Sequence, residues 1–170
     1  MLHVPASVKL IDGYVHDSDT HRPIMRSALE FCKKLRRISF AEHSQLTKIG
    51  ASAFDGCESL EKVTFGENSR IEKIEEYAFY QTKLTEIVIP ASVQEVGVSA
   101  FRQCKSLRSL EIAARAQLRK IEDYAFSGCS IATVTLPESL REIGKFAFYR
   151  NQIASVGLPD GLQIIQAHAF

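Results

Sequence analysis

One run of residues fits itself again and again along this chain. In Leu84 to Phe101 the apolar positions are Leu84, Ile87, Ile89, Val93, Val96, Ala100 and Phe101. The same spacing returns as Leu60, Val63, Phe65, Ile71, Ile74, Ala78, Phe79 and as Leu107, Leu110, Ile112, Leu118, Ile121, Ala125, Phe126. It returns once more as Ile131, Val134, Leu136, Leu140, Ile143, Ala147, Phe148. Self-similarity at this period is the mark of a solenoid.

The period varies by a rule. The alanine before the last aromatic falls at Ala28, Ala53, Ala78, Ala100, Ala125, Ala147 and Ala169, in steps of 25, 25, 22, 25, 22 and 22 residues. The link after the strand-like part takes four steps where it carries proline (Ile89 to Val93, Leu136 to Leu140, Leu158 to Leu162). Without proline it takes six (Phe40 to Leu46, Phe65 to Ile71, Ile112 to Leu118). The link after the aromatic takes five or six steps. Links therefore absorb length while the core positions keep register, as surface connections do.

Within a copy, the part ending Ile87-Val88-Ile89 alternates and reads as a short strand. Proline after it ends the strand, since proline has no N–H to donate. The second part, VQEVGVSAF, is too short for a helix and reads as a very short strand or 3₁₀ turn. Stacked in parallel, such strands sit about 4.8 Å apart. Burying seven apolar side chains gains about 10–20 kcal/mol per copy. Ordering 22 backbones costs roughly 20–40 kcal/mol. One copy cannot stand alone, and stacking closes the gap.

The remaining bounds are simple. The 170 residues are 45% hydrophobic and 24% charged, the balance of a folded domain, and residues 1–170 read as one. A net charge of +1 gives no electrostatic reason to expect nucleic acid. No run approaches a membrane span, and MLHVPASVKL is not a secretion signal. Val4, Pro5 and Val8 copy Ile89, Pro90 and Val93. Register is then lost until Ile24, so residues 1–31 read as an irregular first turn carrying a polar inserted loop, HDSDTHRP. The chain stops at Ala169-Phe170, part-way through a copy. A fragment of a longer solenoid is expected, or self-association through uncapped ends.

The string L-x-x-I-x-I-P-x-S-V-x-x-[IV]-G-x-x-A-F-x-x-C, read from Leu84 to Cys104, resembles the BspA-like class of leucine-rich repeats. The resemblance covers nearly the whole chain. It implies a curved leucine-rich-repeat solenoid of about seven turns, with short parallel strands on one face and short strands or 3₁₀ turns on the other. It implies no catalytic residue and no cofactor. It suggests a surface or secreted protein that binds other proteins or host matrix. The chain lacks the asparagine that commoner leucine-rich repeats carry after the strand.

Several residue sets invite chemistry. Cys32, Cys57, Cys104 and Cys129 share one slot of the copy. They read as small packing residues, or as disulfides between adjacent layers, Cys32 with Cys57 and Cys104 with Cys129. No C-x-x-C pair suggests zinc. His16, Asp17, Asp19 and His21 could surround a cation, but their spacing matches no calcium loop, and they read as a solvated insertion rather than a metal site. Ser-x-x-Glu recurs at Ser69, Ser92 and Ser139 in repeat register, which points to local capping rather than catalysis.

Binding surfaces remain. On the outward strand positions Arg36, Arg37, Lys62, Glu86, Arg108 and Glu111 are the charged candidates. Arginine is favoured at interaction hot spots. Tyr77, Tyr124 and Phe146 beside the Ala-Phe pair form either a contact strip or half-covers for their own layers. The functional expectation is a non-enzymatic protein-binding scaffold. The alternatives are a structural spacer displaying another domain, and the recognition arm of a larger enzyme.

Overall fold

The computed structural model describes residues 1–8, 11, 14–16, 23–25 and 32–170, with residues 14–16 and 23–25 described as backbone only. The chain winds as a parallel β-solenoid. Its strands are β1 (Leu2–Val4), β2 (Tyr14–His16), β3 (Pro23–Met25), β4 (Arg37–Phe40), β5 (Lys48–Ile49), β6 (Lys62–Thr64) and β7 (Lys73–Ile74). They continue as β8 (Glu86–Ile89), β9 (Glu95–Val96), β10 (Ser109–Ile112), β11 (Lys120–Ile121), β12 (Glu142–Ile143) and β13 (Ile164–Ile165). Four successive layers give a longer strand (β4, β6, β8, β10) to one face and a two-residue strand (β5, β7, β9, β11) to another; the last two give only β12 and β13. The two-residue strands make one continuous sheet in the order β13-β12-β11-β9-β7-β5. No 3₁₀ turn is assigned among the described residues; the second half of the copy is a short strand and a turn.

The Ala-Phe pairs line up. Phe54, Phe79, Phe101, Phe126, Phe148 and Phe170 stack ring on ring at 5.1, 5.1, 5.1, 5.4 and 5.3 Å, with planes within 15° of parallel. These rings mark six layers, and β1 and Ile11, paired with β4 and Ile49, belong to a further layer beneath them. Ala28, the seventh alanine, lies outside the described residues. Every stencil position from Leu60 to Phe101 is buried except half-buried Phe65, so the repeat is itself the core.

Backbone geometry beside the Phe column was not foreseen. Ser52, Tyr77, Ser99, Tyr124, Phe146 and His168, each two residues before its aromatic, have φ of 54–58°. Gly56, Gln81, Gln103, Gly128 and Arg150, two residues after the aromatic, are also left-handed. Left-handed backbone costs a non-glycine residue roughly 1–2 kcal/mol. The return is direct: in the layers of Phe54, Phe79, Phe101 and Phe126 three N–H groups point at the next, and in that of Phe148 two do. Tyr77 N–H donates to Val98 O at 3.0 Å, Phe79 N–H to Ala100 O at 2.8 Å and Gln81 N–H to Arg102 O at 3.1 Å. Three such bonds, about 1 kcal/mol each, offset the strain.

The long-strand face is less continuous. There β1-β4-β6 form one sheet and β10-β8 another, with no ladder between β6 and β8. The break falls where a proline copy follows a long link. Where a long link follows a proline copy, its first residue donates back: Ala41 N–H to Val4 O and Ala113 N–H to Ile89 O, both 3.0 Å. Pro90 and Pro137 hold that place above Phe65 and Ile112 and have no N–H to give.

The stretch read as an irregular insertion contains an antiparallel pair, β2 with β3 (Tyr14↔Met25, His16↔Pro23). The side chains of His16, Asp17, Asp19 and His21 lie outside the described residues. The cysteines are thiols and not interlayer disulfides; Cys57, Cys104 and Cys129 are buried and Cys32 is half-buried. Cys104 and Cys129 donate to the Phe79 and Phe101 carbonyls of the layer below, at 3.1 and 3.2 Å. Asn151, in the same slot, donates at 2.8 Å to Phe126 O. The slot therefore links layers as well as packing.

The serines differ from the capping expectation in two of three cases. Ser69 accepts from Ile71 N–H two residues on, at 3.4 Å. Ser92 and Ser139 instead donate to Ile71 O and Leu118 O of the preceding layer, at 2.9 and 2.8 Å. Both stand in short proline links, where the nearer acceptor is the layer below.

Candidate functional site

The outward strand positions are exposed as expected, and their charges are partly spent on one another. Arg36 makes a two-pronged contact with Glu61, Nη2 lying 2.9 Å from each carboxylate oxygen. Lys62 Nζ meets Glu86 Oε1 at 2.7 Å. Arg37, Arg108 and Glu111 are exposed on the same face. Tyr77, Tyr124 and Phe146 stand on another part of the layer, half-buried. Tyr124 and Phe146 stack at 5.0 Å, His168 continues the stack at 4.9 Å, and Arg102 lies over Tyr124 at 4.8 Å. Tyr77 is not part of that column, because Ser99 occupies the layer between. The nine candidates therefore form two separate groups.

A concavity adjoins the first group. A groove of about 600 Å³ crosses the long-strand face beside Lys62 and Glu86. Its floor includes Phe65, Val88, Pro90 and Ala91, its near wall is Gly66–Ser69, and Ala113 begins its far wall. Val88 is 46% exposed there. Ligand pockets commonly span 300–1,000 Å³ with apolar floors and few polar groups.

The groove follows from the link lengths. Five residues, Gly66–Arg70, join Phe65 to Ile71; three, Pro90–Ser92, join Ile89 to Val93; five, Ala113–Gln117, join Ile112 to Leu118. A short link between two long ones leaves a notch with two walls. Pro137 is followed by another short link at Pro159, so the far wall is missing there. The near wall also leans away. Gly66 sits so close under the preceding layer that a Cβ would strike the Ala41 carbonyl. His43 N–H donates to Glu67 O at 3.2 Å, tying that wall to the layer below.

Sequence reasoning picked Lys62 and Glu86 but not the groove. The long–short–long order was the available signal. Catalytic geometry was not expected, and among the described residues no group of three His, Cys, Asp or Glu side chains is placed to hold a metal ion. No helix among them is long and apolar enough to cross a membrane.

Comparison with known proteins agrees with this architecture. No curated protein sequence matches the chain. Among solved structures, the pneumococcal vaccine antigen PcpA is 28% identical, with a TM-score of 0.70 over 93% of this chain and 36% of that one. A leucine-rich cell surface protein of Faecalibacterium prausnitzii is 22% identical, with a TM-score of 0.52 over 92% of this chain and 47% of that one. The leucine-rich-repeat protein of T. pallidum is 27% identical, with a TM-score of 0.50 over 83% and 60%. The chain spans less than two thirds of each. The model of the BspA-type leucine-rich repeat region matches residues 22–117 and 72–170, in six copies. With the repeat register and the stacked layers, that match makes the chain a member of the BspA-type leucine-rich-repeat family.

Proposed function

We propose that this chain is a non-enzymatic protein-binding scaffold that works at a cell surface or in secreted form, with a host or matrix protein as ligand. The observation that carries the reading is the groove of about 600 Å³ on an exposed strand face flanked by Arg37, Arg108 and Glu111. A floor of that kind suits a partner's side chains better than a small charged substrate. Two of the similar structures are described as a vaccine antigen and a cell surface protein, which favours an external location.

The test compares wild type with Arg36→Glu and Arg108→Glu in pull-downs against a panel of secreted and matrix proteins. At least a tenfold loss of binding in either variant is expected. Unchanged binding in both removes this face from consideration.

A further inference from the structure

We infer that the groove over Pro90 receives an extended segment of a partner polypeptide, which takes the place of the link residues this layer lacks. The inference rests on the protein-binding reading and names how the partner is held.

The argument starts from what neighbouring layers put in the same space. Around Glu67 and Asn68, and again around Ala114 and Arg115, the chain fills it with its own backbone. His43, Asn68 and Arg115 are equivalent residues, left-handed at φ 54°, 55° and 57°. In the first of these layers the His43 N–H donates to Glu67 O of the next layer, at 3.2 Å. The Asn68 N–H has no such acceptor, because the proline link has no residue at that position. One donor therefore opens on the groove.

An acceptor place is vacant too. The Ala41 and Ala113 N–H groups reach the carbonyls that end the strands below, those of Val4 and Ile89. Pro90 cannot do so for Phe65. A free donor and a vacant acceptor place on one wall are what one residue of an extended incoming chain satisfies, since its C=O and its N–H point to the same side. Adding a chain to an open strand edge in this way is a general mode of recognition. Val88, Pro90 and Ala91 beneath offer an apolar seat for one side chain. Lys62 and Glu86 beside it pair at 2.7 Å, so the groove carries no net charge from them. The partner is thus a polypeptide read by its backbone and one apolar residue, not a charged small molecule.

The test uses random linear dodecapeptides displayed on phage, selected on wild-type protein, with enriched sequences made synthetically. In the first variant Pro90-Ala91-Ser92 is replaced by the Gly-Glu-Asn-Ser-Arg sequence of the layer below, so that the protein fills its own groove. The second, Ala91→Trp, blocks the floor without changing the link, and thermal melts verify that each folds. Enriched peptides should lose at least tenfold in affinity for both variants. Replacing one peptide bond of the ligand by an ester, which deletes its N–H, should weaken binding roughly fivefold at a single position. Equal binding to wild type and both variants, or no enrichment on wild type, overturns the inference. If those peptides ignore the groove variants yet lose affinity for Arg36→Glu or Arg108→Glu, the face binds protein and only the groove assignment falls.

Discussion

The Phe side of each layer and the long-strand side are built from the same copies, yet they behave differently. On the Phe side the spacing inside a copy never changes. Six rings stack without a gap, and backbone bonds join every pair of layers. On the long-strand side the link length alternates, and the ladder breaks where proline follows a long link. Constancy makes the Phe side the column that holds the stack together. Variation makes the other side a surface with shape. A repeat protein can thus localise a groove by changing link length alone, with no change to its core pattern.

That contrast can be broken by mutation. Phe101→Ala removes a buried ring stacked on both sides and should cost about 3–5 kcal/mol, read by chemical denaturation. Val88→Ala, a truncation on the other face, should cost well under about 1 kcal/mol, because Val88 is 46% exposed. Equal losses would erase the distinction. Gly97→Ala tests the tight stacking beside the Phe side. A Cβ there would lie 2.8 Å from the Glu75 carbonyl carbon and 2.9 Å from Ile74 O, and about 1–3 kcal/mol of destabilisation is expected.

A smaller effect concerns pH. Burial pushes the Cys57 thiol up to about 11. The folded state therefore favours the neutral thiol. Its contribution is intact below the unfolded thiol pKa, near 8.5, and is lost as pH rises through about 11. Wild type should lose melting temperature more steeply than Cys57→Ala between pH 9 and 11; parallel curves would refute the assignment. The least effect belongs to Arg36→Ala, which breaks the exposed pair with Glu61. About 0.5 kcal/mol or less is expected, vanishing in high salt.

The core was legible in the sequence because burial repeats. Ile87, Ile89, Val93 and Phe101 stand where their spacing put them, and so do the exposed positions Arg37, Arg108 and Glu111. Pairing between those charges was not legible, since which of Arg36, Glu61, Lys62 and Glu86 meet depends on the register of adjacent layers. The left-handed column was hidden more deeply. Nothing local in Tyr124 or Phe146 favours positive φ; only the bonds to the next layer do. The groove lay between these cases. Pro90 was visible and its missing N–H was understood, but the consequence falls at Phe65, 25 residues earlier, and appears only when the layers are laid one on another.

Amide hydrogen exchange tests the central claim most directly, residue by residue, on the native protein. The amides of Phe79, Phe101 and Phe126, each bonded at 2.7–2.8 Å to the next layer, should exchange only through global unfolding. The Asn68 amide, open on the groove, should exchange orders of magnitude faster. Comparable protection of Asn68 and the three phenylalanines would contradict the account.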